Sequence, residues 1–124
     1  NDFTAPPASG SAQYDAMVVL PCTVGSLAAI AHGVCGNLLH RTADVTLKER
    51  RPLLLAVRET PLNRPHLRNM LAADEAGAIL IPPMPSFYQH PQTLNDLARQ
   101  FAARICDLLG VPVASTTITR WQGI

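Results

Sequence analysis

The chain has 124 residues, 48% of them hydrophobic and only 15% charged, with a net charge of +1. That length gives one domain with a core of useful size, and a charge so near zero removes the electrostatic ground for a nucleic-acid or anionic-membrane partner. No apolar run approaches the ~20 residues of a membrane span. Charged residues fall below the usual quarter, which points to a surface partly covered by other subunits or by further protein.

Taken in order, residues 1 to 13 (NDFTAPPASGSAQ) read as a loop and lack the basic and apolar regions of a signal peptide. Met17 to Pro21 (MVVLP) fits a buried strand. Cys22 to Ser26 (CTVGS) follows at once and leads into the helix-compatible LAAIAHGVCG. A strand, a turn of small and hydroxyl residues and a helix start together suit an anion, because free N–H groups and the positive dipole end face it. Thr23 and Ser26 would add hydroxyl donors. On spacing alone, a plain helix cap at Thr23 or Ser26 accounts for the pattern equally well.

Asn37 to Arg50 has a helical period and carries Arg41 and Lys48 two turns apart on one face. Asp44 lies within pairing reach of either, and Pro52 is expected to end the helix. Leu53 to Val57 (LLLAV) is an unbroken apolar run, the mark of a strand covered on both faces of a parallel sheet. Arg58-Glu59-Thr60 then falls at a strand's carboxyl end, where open α/β sheets place ligands. Residues 63 to 76 read as a helix closed by Gly77, with His66 capping or packing near its start. Ala78 to Pro82 (AILIP) reads as a third buried strand, running into the proline-rich PPMPSFYQHP. Thr93, with Asp96 three residues on, starts a last helix whose apolar stripe is Leu94, Leu97, Phe101, Ile105 and Leu108. Arg104 sits at the edge of that stripe. Gly110 and Pro112 stop the helix, and the tail shows no strong period.

Three strands separated by helices predict a Rossmann-like, doubly wound parallel α/β sheet with ligand loops at CTVGS, RET and PPMPSFY. Phe87 is expected in the core, and Trp121 either covers a ligand or packs at a subunit contact. Cys22, Cys35 and Cys106 have unrelated spacings, which gives neither a disulfide framework nor a zinc site and makes a reducing cytoplasm the simplest setting. Cys22 lacks a nucleophile elbow. His32, His40, His66 and His90 have no metal-ligand spacing, so no metal is expected.

The segments LPCTVGSLAAIAHG, LLHRTADVTLKERRPLLLAVRETPL, HLRNMLAADEAGAILIPPMPSFYQHPQTL and DLARQFAARICDLLG together resemble the flavin prenyltransferase (UbiX) family, long described as aromatic acid decarboxylases. The resemblance covers about residues 8 to 110. It implies a single domain over 1–124 matching the C-terminal two-thirds of such an enzyme, without the family's first strand and Gly-rich loop. It also implies a homo-oligomer with shared sites. The implied reaction joins a dimethylallyl group, from dimethylallyl phosphate, to reduced FMN, making the cofactor of UbiD-type decarboxylases. By motif, Thr23, Val24, Gly25, Ser26 and Arg58 would contact the flavin. Tyr88 and Arg104 would hold the prenyl phosphate, with Arg41 and Lys48 reaching it from a neighbouring subunit. Glu59 would handle protons beside the phosphate. Two rival readings are a flavin-dependent cysteine decarboxylase, disfavoured by PPMPSFY, and a non-catalytic truncated flavin-binding or assembly subunit.

Overall fold

The computed structural model describes residues 14–113. The loop reading of residues 1–13 and the alternatives for Trp121 lie outside the described residues. Two compact units divide the chain after Pro82.

The first unit is a parallel three-stranded sheet of order β1-β2-β3, with β1 at Met17–Cys22, β2 at Leu53–Val57 and β3 at Ile79–Leu80. Helix α1 (Val24–Ala31) and helix α2 (Leu38–Lys48) lie between β1 and β2, and α3 (Arg64–Glu75) lies between β2 and β3. This is the expected parallel α/β arrangement. All five residues of β2 are buried, as its unbroken apolar run predicts. Leu53, Leu55 and Val57 pack with Leu27 and Ile30 of α1, Ala43 of α2 and Ala73 of α3. Leu54 and Ala56, on the opposite face of the strand, are equally buried. Each leucine removed from water contributes roughly 1.5–3 kcal/mol, so β2 is the element that anchors the sheet.

Local chemistry sets the helix ends. Asn37, Asn63 and Thr93 each accept a hydrogen bond from the third residue of the helix they start. His66 closes a capping box by accepting the Asn63 N–H through Nδ1, so of the two roles the sequence allowed, capping or packing, it caps. α1 and α3 end in paired turns, with Gly33 and Gly77 at positive φ, their N–H groups bonded to Ile30 and Asp74. Helix α2 ends the same way without a glycine. Arg50 has φ 57°, its N–H meets the Leu47 carbonyl, and that of Arg51 meets Thr46. The helix therefore stops at Lys48, before Pro52 can act, which corrects the expected cause of termination.

The third strand differs from expectation. The strand itself is only Ile79 and Leu80, with the Ile81 N–H adding a bond to the Leu55 carbonyl of β2 at 2.9 Å, and Ile79 is exposed, while Ala78 and Ile81 carry the burial. Prolines from residue 82 onward cannot donate to a ladder, so the strand ends early.

The second unit holds a 3₁₀ turn at Phe87–Gln89 and helix α4 at Leu94–Leu109. Thr93 and Asp96 form the predicted reciprocal cap, and Gly110 at positive φ closes the helix. Ala103 and Ile105 are its buried residues. Leu94, expected in the apolar stripe, is 83% exposed, because it is the first helical residue and turns away from the buried face. Phe87, expected in the core, is 69% exposed on its short turn.

Candidate functional site

The carboxyl ends of β1 and β2 adjoin. Cys22 is in register with Val57, and the Arg58 N–H donates to the Cys22 carbonyl at 3.4 Å. The loop after β1 and the loop after β2 thus leave the sheet side by side. After β1 the chain passes through Thr23 directly into α1. Thr23 caps that helix, its hydroxyl accepting from the Ser26 N–H at 3.0 Å. The plain capping reading is therefore correct, and it leaves room for the second. The N–H groups of Val24 and Gly25 belong to the first turn, where a helix has no internal partner for them. A Cβ built on Gly25 would meet only the Thr23 hydroxyl, at 3.9 Å, so the space over this turn is open.

Arg58 is exposed, and its guanidinium makes no ion pair or hydrogen bond among the described residues. Arg58 and Glu59, though neighbours on the loop, do not pair with each other. Glu59 instead accepts the Thr60 N–H at 3.0 Å, which folds its carboxylate back onto its own loop. Free amides, a dipole end and a guanidinium make a donor-rich surface that suits phosphate or carbonyl oxygens. These residues fit the phosphate-bearing, carbonyl-edged FMN that the resemblance implies.

Ser26 carries a further contact that no motif announces. Its Oγ lies 3.1 Å from Nε2 of His40 on α2, and Nδ1 of the same ring accepts the Gly36 N–H at 3.3 Å. The start of α2 is thereby tied to the start of α1 at the sheet's carboxyl end. Sequence reading treated His40 only as an absent metal ligand, since residues 14 positions apart give no periodic signal.

The cations on α2 are separated by the helix. Arg41 lies in its second turn and pairs with Asp44 at 3.6 Å. Lys48 ends the helix and pairs with Glu49 at 3.0 Å, not with Asp44 as the spacing allowed. Over seven residues at ~1.5 Å each, the two sit roughly 10 Å apart along the axis. Arg41 is thus near the ligand end of the sheet and Lys48 near the other. In the second unit Tyr88 and Arg104 are both exposed, Tyr88 on the 3₁₀ turn and Arg104 on α4.

At the far edge, a cavity of about 340 Å³ is lined by Leu47, Arg50, Arg51, Pro52, Ala76, Gly77 and Ile79. It lies where α2 and α3 end; the backbone N–H groups of Arg50 and Arg51 bond the Leu47 and Thr46 carbonyls, and Arg51 also stacks on Tyr14 at 4.5 Å. The chemistry of the strand ends lies elsewhere.

Cys22 is buried at the close of β1, and loss of hydration pushes its thiol up to about 11. A thiol held protonated is a poor nucleophile.

Comparison with known proteins agrees with this geometry. The family model described as Flavoprotein matches residues 3–111. The flavin prenyltransferase UbiX of Pseudomonas aeruginosa is 50% identical over 121 residues, which is 98% of this chain and 57% of that protein. The crystal structure of AnUbiX (PadA1) in complex with FMN and dimethylallyl pyrophosphate superposes with a TM-score of 0.93 at 48% identity, covering all of this chain and 65% of that one. A dodecameric FMN-dependent UbiX-like decarboxylase from Escherichia coli O157:H7 has a TM-score of 0.91 at 44% identity, covering 98% and 65%. The chain thus spans about three-fifths of the relatives it matches. Those shares carry no position within the relatives, and the C-terminal placement read from the motifs is not borne out by them.

Proposed function

This chain belongs to the flavoprotein family, and on that premise we propose that it binds FMN and acts as a flavin prenyltransferase. The reaction joins a dimethylallyl group, from dimethylallyl phosphate, to reduced FMN. Bound reduced FMN supplies the electron-rich ring that takes the prenyl group.

The remaining steps belong to the chain's own residues. The first turn of α1 (Thr23, Val24, Gly25, Ser26) offers donors to the flavin, and Arg58 adds a fixed positive charge beside them. The bond between the prenyl carbon and the phosphate oxygen must break, so negative charge grows on the departing phosphate and needs stabilising. Tyr88 and Arg104 are assigned to that phosphate as hydrogen-bond donor and guanidinium fork. Arg41 and Lys48 are assigned to it from a neighbouring subunit of a homo-oligomer. Glu59 is assigned to proton handling beside the phosphate. The product would serve a UbiD-type decarboxylase in the cytoplasm. Among the described residues no helix is long and apolar enough to cross a membrane.

The observation that carries the reading is the open first turn of α1 lying next to the unpaired Arg58 at adjoining strand ends. The test is anaerobic incubation of the chain with reduced FMN and dimethylallyl phosphate, followed by mass analysis of the flavin. A flavin heavier by one prenyl unit, and absent with Tyr88→Phe, is the expected result. Unmodified flavin recovered from a chain that binds FMN would overturn the transferase reading.

A further inference from the structure

The contact between Ser26 and His40 assigns a role to a residue outside the flavin-contacting loop. Nδ1 of His40 accepts the Gly36 N–H, so that nitrogen presents a lone pair and carries no proton. In neutral imidazole the ring proton must then sit on Nε2, the nitrogen 3.1 Å from Ser26 Oγ. His40 is therefore the donor in that bond and Ser26 Oγ the acceptor. The Ser26 hydroxyl proton is left without an acceptor among the described residues. The surroundings fix the residue: the Asn37 side chain caps α2 by accepting the His40 backbone N–H at 2.8 Å, and the Gly36 backbone lies close against the ring, where a Cβ would stand 3.4 Å from Nδ1.

We propose that His40 is a positioning residue that turns Ser26 into an obligate hydrogen-bond donor toward an acceptor atom of the bound flavin. Without this contact the hydroxyl could rotate and serve as donor or acceptor. With it, the first turn of α1 presents donors only, which selects for an electron-rich flavin edge or phosphate oxygen. The inference rests on the flavin reading above, and it adds a specificity device located on a different helix.

The chemistry also names its own control. A glutamine amide carries one acceptor and one donor in place of Nδ1 and Nε2, so His40→Gln can accept from Gly36 and donate to Ser26. His40→Ala can do neither. Binding of oxidised FMN, followed by flavin fluorescence, is to be measured for the wild-type chain, Ser26→Ala, His40→Ala, the double variant and His40→Gln. Each alanine change is expected to weaken binding up to about tenfold, the size of one neutral hydrogen bond. The double variant should be no weaker than either single one, and His40→Gln should bind within about twofold of wild type. Nitrogen NMR of the ligand-free chain should report the Nε2–H tautomer.

Independent, multiplying losses in the double variant would overturn the proposal, as would a His40→Gln as weak as His40→Ala. A Nδ1–H tautomer in a chain that binds FMN would sink this inference and leave the flavin reading standing. A wild-type chain with no FMN binding would overturn the flavin reading, and with it the partner assigned to Ser26, whatever the tautomer.

Discussion

Lys48 and Glu59 stand at opposite ends of β2. Lys48 closes α2 five residues before the strand begins, and Glu59 follows its last residue by two. The strand's five residues, at ~3.3 Å each, separate them by roughly 15 Å, beyond the reach of one lysine side chain. If both serve one phosphate, they come from different subunits. Lys48→Ala and Glu59→Gln should each abolish prenyl transfer, and co-assembly of the two variants should recover about a quarter of wild-type activity. That is the statistical share of subunit junctions in a symmetric oligomer that carry both native side chains. No recovery in the mixed assembly would mean that the two residues do not act across a junction.

The buried thiol of Cys22 gives a signature in alkaline solution. Its folded value, about 11, lies above the ordinary 9.0 because burial disfavours the thiolate. A group raised in this way contributes its full stability below pH 9 and loses it as pH climbs toward 11. Wild type should therefore lose about 1–2 kcal/mol over that window relative to Cys22→Ala, as read from urea midpoints at each pH. A parallel decline in the two proteins would show that the thiol titrates normally.

The cap of α4 makes the opposite prediction in acid. Hydrogen bonds from the Gln92 N–H, and then from Thr93, hold the Asp96 carboxyl below its usual 3.8. A lowered carboxyl stabilises the fold above its ordinary value, and that contribution fades as pH falls through the folded one. Asp96→Asn should weaken α4 at pH 7 and make little difference at pH 2, with amide exchange in α4 as the readout. A difference that persists unchanged at pH 2 would assign the effect to the amide, not the charge.

Arg50 occupies the left-handed position that Gly33 and Gly77 take at the ends of α1 and α3. An L-residue there costs about 1–2 kcal/mol, of which glycine returns part through its more flexible unfolded chain. Arg50→Gly should raise stability by about 0.5–1 kcal/mol in urea denaturation. A lower midpoint would instead mean that the Arg50 side chain offsets the strain, through contacts at the far-edge cavity it lines.

Much of this chain is legible without coordinates because its strongest signals act over a few residues. The unbroken LLLAV run, the Thr93–Asp96 cap, and the glycines after α3 and α4 each follow from local sterics and hydrogen bonding. They gave a parallel α/β sheet with Thr23 to Ser26 and Arg58 at strand ends, and that is what the structure has. The apolar character of Phe87 and Leu94 suggested burial, yet hydrophobicity alone carries no information about which face of a turn points inward. Ile79 reads as a core strand residue and lies exposed, because β3 is an edge strand of the sheet. Tertiary structure alone decided that α2 returns from the ligand end of the sheet to the other. That direction puts His40 against Ser26 and carries Lys48 away from Glu59. Both outcomes depend on contacts between residues far apart in the chain, which no periodicity records.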